Sequence, residues 1–269
     1  MTDPVTAVRD EDARRLSKAL LQARETRTPV RPLTESESGL TVADAYVIAQ
    51  HGVGTDIAAG ATPVGHKIGL TAAAVQRQLG VDTPDYGVLL DTMALTPGTP
   101  VNASDYIAPR IEVELAFRLS SDLPASGVTV AAVRAATVSV HPAFELVDSR
   151  IADWRITLVD TVADRGSSAG FLVGETGVSL DDLEITAVEV TLERDGEAVH
   201  TGTSDLVLGN PCAAVAWLAN AVGALGEPLR AGEIALSGSI TPMLTLRAGE
   251  RYRARFGSGL GELALDVAA

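Results

Sequence analysis

The chain has 269 residues, 46% hydrophobic and 21% charged, with a formal net charge of −14. That is long enough to bury a full core and too apolar for a disordered polymer. The acidic excess argues against a nucleic-acid partner, since a polyanion is repelled and no basic stripe interleaves with aromatics. Cys212 is the single cysteine, so no intrachain disulfide is expected and a reducing cytoplasm fits.

Residues 1–4 lack a basic segment followed by an apolar stretch, so no secretory signal is expected. No uncharged apolar run of about 18 residues occurs, which argues against a membrane span. Residues 8–26 read as an amphipathic helix carrying Ala13, Leu16, Leu20 and Leu21 at helical spacing. An extended connector follows through Gly39, and Thr41 with Asp44 forms a loose capping box that starts a helix to about His51. From Pro63 the chain turns β-rich, interrupted by a helix at Ala72–Leu79 behind the cap candidate Thr71 and by a turn over Asp82–Gly87 before Val88–Leu90. Tyr106–Leu119 and Val138–Val147 read as strands around a helix at Thr129–Ala136. Thr157–Ser168 reads as a polar site loop ahead of a strand near Phe171–Gly174. Val188–Leu192 and Glu197–His200 flank Asp195-Gly196, a hairpin signature. A helix from Pro211 to about Leu225 buries Cys212 as a small core residue. Short strands then follow at Glu233–Ser237, Leu244–Arg247, Tyr252–Phe256 and Glu262–Val267. This order predicts an α+β fold, a curled and mostly antiparallel β-structure with flanking helices. A small N-terminal helical region, 1–60, is expected ahead of a main domain, 61–269.

Acidic residues carry the chemical signal. In Arg110–Phe117, strand alternation sends Ile111, Val113, Leu115 and Phe117 to one face and places Glu112 and Glu114 on the other, roughly 6.5–7 Å apart. If both ionise while partly buried they repel by about 2–2.5 kcal/mol, which calls for water, a base, a shared proton or a divalent cation. An E-x-E on an exposed strand face is also ordinary surface. Glu145 tips the balance, because it lies among Phe144, Leu146 and Val147, where a lone ionised acid is expensive. Oxygen-only ligands point to a hard ion such as Mg²⁺ or Mn²⁺. Of 21 basic residues only Lys18 and Lys67 are lysines. Lys67 sits between glycines and apolar residues, where a compact ammonium with a tunable pKa differs from a guanidinium fork, although a lysine snorkelling from a strand end is the plainer alternative.

Other chemistries lack their signatures. Gly65–Gly69 does not have the spacing of a phosphate-cradling loop, no nucleophile elbow occurs near Gly170, and none of His51, His66, His141 and His200 sits in a triad context.

Seven ordered motifs resemble the 2-keto-4-pentenoate hydratases of the fumarylacetoacetate hydrolase superfamily. They are Gly65–Thr71, Gly80–Gly87, Pro109–Glu114, Glu145–Ile151 with Trp154, Leu158–Asp164, Leu208–Pro211 and Ser237–Ser239. The resemblance implies the fold of that superfamily's C-terminal domain and a divalent metal, Mg²⁺ or Mn²⁺, on Glu112, Glu114 and Glu145. It also implies Lys67 in the active site, with Asp85 and the Ser167-Ser168 loop nearby. His66 departs from the pattern, which usually has tyrosine there.

The activity so implied is addition of water to 2-hydroxypenta-2,4-dienoate, giving 4-hydroxy-2-oxopentanoate in aromatic or steroid catabolism. A chelating 2-oxo acid would meet the metal as a Lewis acid, Lys67 would supply positive charge and Asp85 would orient or deprotonate water. Ser168 and Ser239 would hold substrate by hydrogen bonds. Alternatives are the sister 2-oxo-hexenedioate (4-oxalocrotonate) decarboxylase, an acylpyruvate C–C hydrolase, which would want a histidine-assisted water, and a non-catalytic binding protein that keeps the fold. A cytoplasmic homo-oligomer, associated with a pathway decarboxylase or aldolase, completes the expectation.

Overall fold

The computed structural model describes residues 8–269; the signal-peptide reading of residues 1–4 lies outside them. Helix α1 (Asp10–Thr26) buries Ala13, Leu16, Leu20 and Ala23, and α2 (Leu33–Ser36) is a single turn in the connector. Helix α3 (Val42–Ala58) opens on the capping box in which the Thr41 hydroxyl accepts from the Asp44 amide while the Asp44 carboxylate accepts from the Thr41 amide. It runs seven residues past the predicted end at His51. Gly52 permits this, because a Cβ there would sit 3.2 Å from Ser17 Oγ, so α1 and α3 pack closely at a residue that reads as a helix breaker in isolation.

The main sheet has seven strands. β1 (Pro63–Gly69), β2 (Asp85–Leu90), β3 (Arg110–Leu119), β4 (Thr137–Val147) and β5 (Ser168–Val173) are joined by β8 (Ile234–Leu236) in the order β2-β1-β8-β3-β4-β5, and β9 (Leu244–Thr245) pairs with β3. Among the strand pairs of the described residues, only β1–β8 is parallel. The second sheet runs β11-β10-β6-β7, from β6 (Glu189–Arg194), β7 (Glu197–Thr203), β10 (Arg251–Phe256) and β11 (Gly261–Asp266). Asp195 and Gly196 both take positive φ, 52° and 86°, as a two-residue hairpin turn requires. The curled α+β architecture read from the sequence is the one observed.

Helix α4 (Ala73–Leu79) is capped at Ala72 and not at Thr71, and has no side-chain cap. The Thr71 side chain instead packs against Gly238, where a Cβ would lie 2.3 Å from Thr71 Oγ1. Helix α5 (Val130–Ala136) and helix α7 (Pro211–Gly223) cover the main core. The apolar stretch Ser204–Gly223, long enough by composition to cross a bilayer, is a 3-10 turn leading into α7, most of whose residues are buried.

The predicted polar loop 157–168 is the largest departure. It folds as α6 (Leu158–Ala163), capped by a Thr157/Asp160 box, then a tight turn at Arg165–Ser167 before β5 begins at Ser168. The Asp160 carboxylate also accepts from the Thr34 amide and hydroxyl at 3.1 and 2.8 Å, tying α2 to α6. Apolar residues of α1, α2, α3 and α6 form their own cluster with Ile151, apart from the main core.

Glycine is required where strands approach without room for a Cβ. At Gly65 a Cβ would lie 1.9 Å from Ile234 O, inside the parallel β1–β8 pair. Gly54, exposed on α3, has nothing within 4 Å of that position. Gly65→Ala is therefore expected to destabilise by about 1–3 kcal/mol, whereas Gly54→Ala should stabilise by about 0.5–1 kcal/mol. Opposite shifts in thermal melting of the two variants are the check.

Candidate functional site

Register builds the site. In the β3–β4 ladder Glu112 lies directly opposite Glu145, and Glu114 opposite Ala143. Alternation puts Glu112, Glu114 and Ala116 of β3 on the same face as Ala143 and Glu145 of β4. The reverse face holds Ile111, Val113, Leu115, Phe117, Phe144 and Leu146, all fully buried in the main core. The sheet thus has a greasy side that fixes register and an acidic side that the register assembles. One carboxylate oxygen from each of Glu112, Glu114 and Glu145 lies within 4.8 Å of the others.

Glu114 and Glu145 are wholly buried. Glu114 Oε2 accepts from the Gly238 amide at 2.8 Å, whereas Glu114 Oε1 lacks a hydrogen-bond partner among the described residues and Glu145 Oε2 has the Lys67 ammonium at 3.3 Å. At an effective dielectric near 20, two ionised carboxylates at such separations repel by about 3 kcal/mol. Burial accordingly pushes all three toward the protonated form, with mutual repulsion adding to it for Glu112 and Glu114. Glu112 rises to about 7 and Glu114 well above the usual range, and Glu145 also rises although Lys67 opposes it. An oxygen-only donor set with orphaned buried acceptors suits a hard divalent cation.

Lys67 comes from the neighbouring strand. Its ammonium is 3.3 Å from Glu145 Oε2, and the residue is only 3% exposed, so it does not snorkel. Burial works against its charge, but Glu145 and Asp85 more than offset this and its pKa is raised. Asp85, the first residue of β2, pairs with Gly69 across the β1–β2 ladder and is buried beside that lysine. Burial raises its carboxyl above the usual range and Lys67 opposes the rise. Three glycines make the room: a Cβ on Gly69 would meet Asp85 Oδ1 at 2.1 Å, one on Gly87 would meet Arg165 O at 2.5 Å, and one on Gly166 would meet Lys67 Nζ at 3.2 Å.

The turn over Lys67 is strained. Arg165, Gly166 and Ser167 all have left-handed φ, 62°, 64° and 53°; the two non-glycine residues cost about 1–2 kcal/mol each. Ion pairs hold it. Arg150 Nε donates to Asp164 Oδ1 at 2.5 Å and its Nη1 to Ser168 O at 3.0 Å, while Arg165 reaches Asp56 of α3 at 2.6 Å. Asp56 also receives Arg24 of α1 at 2.8 Å, so the N-terminal helices are fastened to the turn that packs on Lys67. Arg150 and Asp164 lie within the sequence motifs but carry no sign of this role there, and no local pattern marks Asp56 and Arg165, a pair so far apart in the chain.

Ser168 is buried with its hydroxyl beside Glu145, and Ser237 is buried with an orphaned hydroxyl. Ser239 is half-buried and donates to Thr241 O at 2.7 Å. No histidine joins the cluster: His51 sits 2.9 Å from Asp10, His141 is held by Ser139 and Gly174 O, and His200 lies in the second sheet. His66 precedes Lys67 and so points to the other side of β1, edge-on to Tyr86.

The profile of the family described as fumarylacetoacetate (FAA) hydrolase C-terminal matches residues 57–268. The chain is 42% identical over 245 residues to 2-hydroxyhexa-2,4-dienoate hydratase of Comamonas testosteroni, spanning 90% of this chain and 91% of that one. It is 40% identical over 247 residues to 2-keto-4-pentenoate hydratase of Paraburkholderia xenovorans, spanning 92% and 91%. Among solved structures, 4-oxalocrotonate decarboxylase from Pseudomonas putida, complexed with magnesium and adipate, superposes with a TM-score of 0.94 at 31% identity, over 97% of this chain and 99% of that one.

Burial depresses His66 to about 4, so it is neutral in the fold and its contribution is present above the unfolded pKa and lost as pH falls from 6.5 towards 4. Between pH 7.5 and pH 5 this group should remove about 2 kcal/mol of stability. His66→Phe should flatten the acid side of the stability profile by that amount, read by denaturant unfolding at both pH values.

Proposed function

The chain belongs to the fumarylacetoacetate hydrolase C-terminal family, and on that premise we propose that it is a metal-dependent hydratase of 2-hydroxypenta-2,4-dienoate or a close homologue with a longer tail. The observation that carries the reading is the buried trio Glu112, Glu114 and Glu145 with Lys67 against it. These three glutamates would hold a divalent cation, Mg²⁺ or Mn²⁺, which when bound supplies Lewis acidity to a chelating 2-oxo acid. In this reading residues 61–269 are the catalytic body and residues 1–60 its helical cover.

The reaction adds one water without redox change: C5 gains a proton as the enol oxygen loses one, then the hydroxyl of water joins C4 and C3 gains a proton, so the enol and the water together supply both. Asp85, whose carboxyl burial pushes above its ordinary value while Lys67 opposes the rise, is placed to give a proton to carbon and recover one from the attacking water. Lys67 keeps positive charge beside Glu145 and Asp85 and favours an anionic oxygen on the substrate. The Ser168 hydroxyl lies beside Glu145 and can turn to donate to substrate. Ser239, whose proton is engaged by Thr241 O, can accept. The burial of Lys67 and Asp85 keeps bulk water off the proton carrier.

Relatives at 40–42% identity bear hydratase names, and the 31% identical decarboxylase supplies the competing reading. Incubating the Mg²⁺- or Mn²⁺-supplemented protein with the dienol should give 4-hydroxy-2-oxopentanoate, and with 2-oxo-hexenedioate little CO₂. Dominant CO₂ release would transfer the assignment to the decarboxylase.

Glu114→Gln replaces a buried carboxyl that burial and its neighbours already push toward the neutral form by a neutral amide of the same shape. Without metal it should melt close to wild type. It should also lose the thermal stabilisation given by Mn²⁺ and at least about 100-fold in turnover. Retained Mn²⁺ stabilisation would remove Glu114 from the ligand set. Lys67→Met, which keeps the stem and drops the charge, should bind Mn²⁺ at least as tightly as wild type yet turn over at least about 100-fold more slowly; unchanged turnover would make Lys67 a packing residue.

A further inference from the structure

Arg110 is a cation on the acidic face of β3 that no acid holds. It lies two residues before Glu112, so alternation places it on the face of Glu112 and Glu114, about 6.5–7 Å along the strand from Glu112. It is half-buried, and among the described residues it has neither an ion-pair nor a side-chain hydrogen-bond partner. The other cations around the site are committed: Lys67 to Glu145, Arg150 to Asp164, and Arg165 to Asp56. Of the three clustered glutamates only Glu112, the one two residues from Arg110, is incompletely buried.

An aromatic platform holds the guanidinium there. Arg110 Cζ lies 4.2 Å from the centroid of the Trp154 ring. The Trp154 indole is fixed by donating to Ala108 O at 3.0 Å, and Asp153 and Trp154 both take left-handed φ, 60° and 54°, to bring the ring over the strand. A ring contact orients a guanidinium while leaving its N–H groups free, which is the condition for receiving a planar anion.

We infer that Arg110, held by Trp154, docks the carboxylate of an α-oxo acid at the mouth of the glutamate cluster and is the residue that selects anionic ligands. The inference rests on the hydratase reading and adds the recognition of the charged end of the substrate to it. In a chain with a formal net charge of −14, attraction of an anion has to be local.

Oxalate binding to the Mn²⁺-loaded protein tests it, measured by calorimetry and by Trp154 emission in a Trp217→Phe background. Arg110→Gln should weaken oxalate binding about ten- to hundredfold while Mn²⁺ affinity stays equal or rises, because a positive charge near Glu112 has gone. Arg110→Lys, keeping charge without the fork, should fall between. Trp154→Leu should weaken oxalate about two- to fivefold. Oxalate affinity in Arg110→Gln within twofold of wild type overturns the inference, and so does a parallel loss of Mn²⁺ and oxalate affinity, which marks a structural role. Arg110→Lys and Trp154→Leu decide the matter if the glutamine variant does not fold. Failure of the Mn²⁺-loaded wild type to bind oxalate at all defeats the hydratase reading itself, and the inference with it.

Discussion

The pairing of Glu112 with Glu145 across two adjacent antiparallel strands is the constraint on which the molecule turns. Left alone, this pair would drive β3 and β4 apart or out of register, since a one-residue slip of either strand turns its acid to the opposite face. Ile111, Val113 and Leu115 on one strand and Phe144 and Leu146 on the other prevent that, because their complete burial on the reverse face is far more favourable than relief of the repulsion. Hydrophobic packing on one side of a sheet thus holds an electrostatically unfavourable cluster on the other. Partial protonation, the Lys67 ammonium, one backbone amide at Glu114, the Ser168 hydroxyl beside Glu145 and the more distant Arg110 give partial relief. A site that stays under such tension without a ligand has a strong drive to take up positive charge.

Holding Lys67 in place needs as much structure as holding the acids. Its stem and ammonium lie close to Gly69, Gly87 and Gly166, each without room for a methyl group. The last of these belongs to a left-handed turn that would relax if free. Arg150 grips the turn from within through Asp164 and the Ser168 carbonyl, and Asp56 grips it from the N-terminal helices through Arg165. Strain at the turn is therefore balanced by buried, charge-assisted hydrogen bonds whose loss would leave uncompensated charge. This couples α1 and α3, which contribute none of the glutamates or Lys67, to the position of the ammonium.

Much of this was legible in the sequence, for identifiable reasons. Period-2 alternation around Glu112 and Glu114, an acid flanked by Phe144 and Leu146, and a rare lysine between glycines are local signals, and they marked residues that the fold brings together. The Asp195-Gly196 hairpin and the Thr41/Asp44 box are equally local and were found in place. What escaped depends on contacts remote in sequence. Helix α3 continues past Gly52 because α1 packs against it there, and the polar run 157–168 opens with helix α6 because the Thr157/Asp160 box is reinforced by Thr34. Thr71 looked like a cap and is instead a packing partner for Gly238. Asp56 and Arg165, separated by more than a hundred residues, have no sequence signature at all.

Charge at the site also orders what can bind it. Asp85 and the three glutamates outweigh Lys67 and Arg110, so the chain's own groups present a site that repels anions once the acids ionise. On the proposed reading, uptake of a divalent cation both displaces protons from the glutamates and brings the local charge close to neutral, after which Arg110 and the ligand's carboxylate meet without a net field against them. Binding of the anion is then conditional on the cation, although the two share no protein side chain. The acidic surface, which at first sight argues against an anionic substrate, is consistent with one as long as every positive charge that matters lies inside the cleft, where screening by salt is weakest.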